Sequence, residues 1–269
     1  MKDHEAVVVI PIHKDVPTDY ELISFQQCFR ILGNHPIVIV APQNINLEAY
    51  KAVVPHFKTI LIHPKWQSNI LNYNKLKLSR FFYDLFEGYD YLLTYELDAF
   101  VFSDKLSLWC EKGYDYVGAP WFEGYAEPTY QLSGVGNSGF SLRKISSITY
   151  ALKKIHHNDP VNSHPGMFKK LGGSAKKFAY KLKHRFKENI SIQTASELNE
   201  DIVISKEIPE QITGFNIAPV KEAIEFSFEV RPDYLFQINY NRLPMGCHAW
   251  WRYNLNFWKP HIESFGYKL

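Results

Sequence analysis

Cysteine is scarce in this chain. Cys28, Cys110 and Cys247 are its only three in 269 residues. They are odd in number, far apart, and lack the close spacing of a thiolate metal site or the even complement of a disulfide framework. That excludes a small stapled scaffold and points to reduced thiols in a cytoplasm-like compartment. Long apolar runs are missing as well. No window approaches the roughly 20 residues of a membrane span, and the run in MKDHEAVVVIPIHKD is broken by Pro11, too short for a signal-peptide core. The expected location is therefore cytoplasmic. No phosphate P-loop is present: the glycine-rich stretch Gly134-Val135-Gly136-Asn137-Ser138-Gly139 has no Gly-Lys-Ser/Thr after it. Nor is there an architectural repeat, since Gly88-Tyr89-Asp90-Tyr91 and Gly113-Tyr114-Asp115-Tyr116 are isolated strand starts. Formal net charge is only +2, and no nucleic-acid partner is expected.

What is present is the composition of a soluble globular protein, 46% hydrophobic and 22% charged. The length suits one large α/β domain or two small ones. Aromatics reach 16%, and such side chains suit sugar faces and nucleobases as well as cores.

Hydrophobic patterning predicts alternating strands and helices. Ala6 to Ile12 is a β-branched run, hence a buried strand. Thr18-Asp19-Tyr20-Glu21 has the form of a capping box, and Leu22, Phe25, Phe29 and Leu32 follow at helical spacing until Gly33-Asn34. Pro36 to Ala41 and Phe57 to Ile62 read as strands with a short helix around Leu47 to Val54 between them, and Asn69 to Phe86 as one longer helix. This order is that of a doubly wound nucleotide-binding half. Lys105 to Lys112 is read as a helix, Tyr114 to Gly118 as a strand, Ala119 to Gly134 as loop, and Phe140 to Arg143 as a further strand.

The stretch Tyr91 to Asp104, YLLTYELDAFVFSD, organises the rest. Tyr91 to Tyr95 is an apolar strand, and Glu96 and Asp98 follow at i and i+2, a spacing that in extended chain turns both side chains to one face. Ligands of open α/β sheets bind at that carboxyl end. Paired carboxylates beside an apolar strand need neutralising. A hard divalent cation such as Mg²⁺ or Mn²⁺ does so in a diphosphate site, whereas lysine, arginine or a helix cap does so in a purely structural turn. Between Met167 and Asn189, Lys169 to Lys187 form the basic face of an amphipathic helix with Leu171, Ala175, Phe178, Leu182 and Phe186 opposite. Such a helix meets an anionic membrane, contacts a phosphate-bearing acceptor, or simply covers one side of the domain. Asn199-Glu200-Asp201 starts another helix, where acids complement the dipole.

Together these segments resemble the GT-A type of nucleotide-sugar-dependent glycosyltransferase, and more closely a bacterial family of that type. The resemblance is carried by Val8 to Pro11, Tyr73-Asn74-Lys75-Leu76 with Ser79, Glu96 to Phe100, Tyr116 to Trp121, Gly134 to Arg143, Asn199 to Asp201, and Gly246 to Trp250. It implies an α/β fold: one Rossmann-like domain over residues 1–269 with a central mixed, mostly parallel sheet, residues 151–195 being a helical basic insertion on the acceptor or membrane side. It also implies an enzyme, an inverting, hexosyltransferase-like glycosyltransferase using Mn²⁺ or Mg²⁺ and a nucleotide-sugar donor, a UDP-sugar first. The acceptor would be a glycan or lipid-linked glycan in surface polysaccharide or lipopolysaccharide synthesis, with Lys169 to Lys187 touching the inner membrane face.

On the same basis Asp98 and His248 would hold the metal. Glu96, standing where the family pattern has Asp, would contact the ribose or the metal. Asp201 would be the general base, with Glu200 as the second candidate. Pro11, Ile12 and His13 would border the nucleobase, and Asn74 and Arg80 would reach base or phosphates. Gly136, Asn137 and Gly139 would shape the sugar pocket, and Trp121 would stack on a sugar ring. Two rival classes stand beside this: a metal-dependent phosphodiesterase or nucleotidyltransferase, and a non-catalytic carbohydrate-binding or scaffold protein on the same fold.

Overall fold

The computed structural model describes residues 5–124, 127–157 and 199–269. The first half alternates as the patterning requires: β1 (Ala6–Pro11), α1 (Asp19–Leu32), β2 (Ile37–Pro42), α2 (Glu48–Lys51), β3 (Lys58–Ile62), α3 (Ile70–Lys77), α4 (Arg80–Asp84) and β4 (Tyr91–Tyr95). β1 and β4 are central, which is why almost every residue in them is apolar and buried. Thr18 caps α1 through the expected reciprocal box with Glu21, and Phe25, Cys28 and Leu32 pack that helix onto the sheet.

Later come β5 (Phe100–Val101), α5 (Leu106–Glu111), β6 (Tyr116–Val117), β7 (Ala119–Phe122), β8 (Leu132–Gly136), β9 (Phe140–Lys144) and α6 (Ile145–His157). Past the undescribed residues a helical stretch runs from Glu200 to Gln211, followed by β10 (Ser227–Phe228) and β11 (Gly246–Cys247). The main sheet has six strands in the order β3-β2-β1-β4-β9-β6. β3, β2, β1 and β4 are mutually parallel, and β9 runs antiparallel to both β4 and β6. This is the mixed, mostly parallel sheet of a single α/β domain.

A small second sheet, β10-β11-β5, positions the site. β11 is antiparallel to β5, with Cys247 opposite Phe100. β10 is parallel to β11, with Phe228 opposite Cys247. One residue further along, that register sets Glu229 beside His248 and His248 beside the turn that holds Asp98. A second aromatic core of Phe100, Phe228, Trp250 and Trp258 fixes this sheet from behind, and the Trp250 indole N–H donates to Ser24 Oγ at 3.0 Å.

Several expectations need correction. Asn69 to Phe86 is two helices, because Ser79 leaves helical geometry to cap α4, its Oγ accepting from Phe82 N. The helix near Leu47 to Val54 is confined to α2, and the strand expected over Tyr114 to Gly118 to β6. Ala119 to Gly134 is largely a hairpin: β7 and β8 pair antiparallel with an irregularity between Trp121 and Phe122. Pro120 is tolerated there because each strand has only this one partner. The basic stretch Lys169 to Lys187 lies outside the described residues. Cys28, Cys110 and Cys247 are free and buried. Among the described residues no helix is long and apolar enough to cross a membrane.

Candidate active site

β4 ends at Tyr95, so Glu96 and Asp98 sit in a turn closed by Ala99 N donating to Glu96 O at 2.9 Å. Their convergence comes from this turn and not from strand alternation. Asp98 Oδ1 is 3.0 Å from His248 Nε2, and Glu96 Oε2 is 3.8 Å from the same nitrogen. One ligand atom from each of Glu96, Asp98 and His248 falls within 4.8 Å of the others. Across the imidazole, Nδ1 lies 3.0 Å from Glu229 Oε1, the carboxylate–imidazole arrangement that orients a metal-binding histidine.

Burial alone would lower the pKa of His248, but Asp98, Glu229 and Glu96 override it and hold the value well above 6.5. Three carboxylates around one imidazole call for a positive charge. Buried Nε2 makes no well-directed hydrogen bond, despite the nearby Asp98 oxygen. An oriented imidazole with an unsatisfied ring nitrogen, facing two hard oxygens, fits a divalent cation of the Mn²⁺ or Mg²⁺ kind.

Close backbone approach makes this possible. A Cβ on Gly139 would come within 2.1 Å of the His248 ring, so glycine is needed for the histidine to sit there. Gly136 is likewise covered by the Trp121 indole, which a Cβ would meet at 1.7 Å; Lys206 Nζ lies 5.1 Å from the centre of that ring. Asn137 adopts φ +73° and its Oδ1 accepts from Gly139 N at 2.8 Å, which shapes the loop between β8 and β9. Its Nδ2 is buried without a partner.

Asp201 lies alongside: Oδ2 accepts from Asn137 N at 3.1 Å and Oδ1 from Ile202 N at 2.9 Å. Burial and the neighbouring Glu200 push its pKa up from 3.8 to about 6. Glu200 differs. It is fully buried, with Oε1 2.6 Å from Arg143 Nη2 and 3.3 Å from Lys77 Nζ. Burial would raise its pKa, yet these cations hold it below the usual value. These ion pairs, both to Oε1, set Glu200 apart from Asp201, while Glu200 Oε2 is buried without a hydrogen-bond partner.

Pro11 and Ile12 lie at the carboxyl end of central β1, where Ile12 N donates to Val40 O at 2.9 Å, and His13 follows as an exposed residue. Asn74 is buried and its amide donates to Asn199 Oδ1 at 3.4 Å, next to the Glu200 helix. Arg80 is not brought in: its side chain is half exposed and lies 4.0 Å from Asp84 one helical turn on.

A family model described as "Protein of unknown function (DUF5672)" matches residues 56–248, a span that holds both acids of the turn, the Glu200-Asp201 pair and His248. The chain belongs to the DUF5672 family. No curated protein sequence matches it. Among solved structures, the apo form of mouse xyloside xylosyltransferase 1 is similar over 91% of this chain and 97% of that one, at 11% identity and a TM-score of 0.50. The apo glycosyltransferase GlyE of Streptococcus pneumoniae TIGR4 matches 98% of this chain and 63% of its own, at 11% identity and a TM-score of 0.44. At such identities the first likeness establishes the fold: this DUF5672 chain has the GT-A architecture.

The motifs pass over Lys77 and Glu229, and they contain Ser138 and Arg143 without marking either as a support of the site. Lys77 carries the one available signal, its place one turn beyond Tyr73 on the same helix face. For Glu229 there is none, because its partner is chosen by the β10–β11 register.

Proposed function

We propose that the protein is a metal-dependent glycosyltransferase, an inverting hexosyltransferase that moves a sugar from a nucleoside diphosphate donor, a UDP-sugar first, to a hydroxyl of a glycan or lipid-linked acceptor. Surface polysaccharide or lipopolysaccharide synthesis in a bacterial cytoplasm is the setting proposed, with Lys169 to Lys187 meeting the anionic membrane face. The observation that carries this reading is the meeting of Asp98 Oδ1 and His248 Nε2 at 3.0 Å beside Glu96, at the carboxyl edge of the sheet.

Asp98 and His248 would hold the cation, with Glu96 completing the set through Oε2. When bound, the cation supplies the charge that stabilises a departing diphosphate. Asp201 takes the acceptor proton as the hydroxyl attacks the anomeric carbon; a carboxyl whose pKa is about 6 is a competent base near neutrality. Pro11, Ile12 and His13 border the base and Asn74 backs the phosphate side. Gly136, Asn137 and Gly139 shape the sugar pocket by letting the Trp121 and His248 rings lie against the backbone, and Trp121 stacks on the sugar.

A thermal-shift titration with UDP, with and without Mn²⁺, tests this, since a ligand that binds the native state raises apparent stability. The expected result is a UDP shift that requires Mn²⁺ and is lost in Asp98→Asn. A UDP shift of equal size in EDTA removes the cation from the reading, and sugar binding without any nucleotide effect favours a carbohydrate-binding protein instead.

A further inference from the structure

Lys77 ends α3 with only 2% of its side chain exposed, an expensive place for an ammonium unless it is fully paired. Its Nζ is 3.0 Å from Glu96 Oε1 and 3.3 Å from Glu200 Oε1, contacts Ser138 Oγ, and lies 4.0 Å from the centre of the Tyr73 ring. Glu96 Oε1 also accepts from Tyr73 Oη at 2.9 Å and from Ser138 Oγ at 3.2 Å. Three donors thus crowd one oxygen of Glu96, while the other, Oε2, is left facing His248 Nε2. A carboxylate anchored through one oxygen presents the second alone and in one orientation.

We propose that Lys77 is a positioning residue that pins Glu96 by Oε1 so that only Oε2 meets the cation, and that joins this carboxylate through Glu200 to the helix bearing Asp201. The inference rests on the reading of Glu96, Asp98 and His248 as a cation site. Without the ammonium, Glu96 Oε1 keeps only the neutral donors Tyr73 and Ser138, and among the described residues no other cation pairs with both the Glu96 and Glu200 carboxylates.

The test is Mn²⁺ binding to the full chain, followed by the paramagnetic resonance signal of free Mn²⁺ with no sugar nucleotide present. Lys77→Met should weaken binding about ten-fold, the usual scale for losing a group that orients a ligand. Glu96→Gln should weaken it too, and the double variant should bind no worse than the weaker single, because both changes act through the same carboxylate. Should Lys77→Met fail to fold, the charge-balanced pair Lys77→Met with Glu200→Gln replaces it and should show the same loss. Additive losses, or Mn²⁺ held with wild-type affinity in either Lys77 variant, overturn the inference and leave the cation site standing. A wild type that binds no Mn²⁺ overturns both.

Discussion

Two carboxylate clusters share the carboxyl edge of the sheet and differ in what neutralises them. In the turn after β4, Asp98 keeps 30% of its side chain exposed and, among the described residues, finds no lysine or arginine, only His248. Next to it Glu200 is 1% exposed and closed off by Arg143 and Lys77. Asp98 is short of a fixed cation, whereas Glu200 is compensated by two. Acid content alone therefore says little about which carboxylates are free for chemistry, whereas the placement of buried cations says much. Glu200 and Asp201 make the same point in consecutive residues: one has its pKa lowered by ion pairs, the other raised by burial.

The strongest way to break the comparison is Asp201→Asn. Turnover should fall about 10²- to 10⁴-fold, the range of a lost general base, with Mn²⁺ and UDP binding kept; retained turnover would move the base elsewhere. Arg143→Met should lower unfolding stability by about 3–5 kcal/mol, because it removes the shorter of the two ion pairs of buried Glu200 and leaves it with Lys77 alone. Asp98→Asn should leave stability unchanged or raised in the same urea titration. Equal losses for the two would erase the distinction between open and closed clusters.

Glu229→Gln should weaken Mn²⁺ binding about ten-fold through the orientation of His248, with the melting temperature unchanged, and calorimetric titration reads this directly. The smallest effect is on pH. Asp201 must be ionised to accept a proton, so kcat/KM should rise with pH to a plateau with a midpoint near 6. On stability the sign is opposite. A carboxyl with a raised folded pKa favours folding fully below about 3.8 and loses that contribution as pH climbs through about 6. Asp201→Asn should flatten this dependence, and acid-range melting curves would show it.

Much of the fold was legible beforehand. The β-branched runs of β1 and β2 and the apolar, aromatic run of β4 read as buried strands, and Thr18 with Glu21 announces the start of α1. The break at Ser79 was not legible, because Leu78, Phe81 and Phe82 keep helical spacing across it while the deciding bonds are local caps. The β7–β8 hairpin was hidden by Pro120 and Gly134, which read as loop unless the strands are known to have free edges. In the site, Glu96 and Asp98 stood out at the end of a buried strand, and the family resemblance drew in His248 and Asp201. Lys77, Arg143 and Glu229 did not stand out, since a lysine, an arginine or a glutamate is unremarkable until its neighbours are known.

The residues themselves determined the alternation of strands and helices, the buried centre of the sheet, and the acid pair at its edge, because periodicity and local capping act over a few positions. Only the tertiary structure decided which acids are compensated, which nitrogen of His248 meets Glu229 and which faces Asp98 and Glu96, and why Gly139 must be glycine. Those outcomes depend on the register of β5, β10 and β11 and on buried cations from distant helices and strands, and electrostatic neutralisation is set by distance in space, not along the chain.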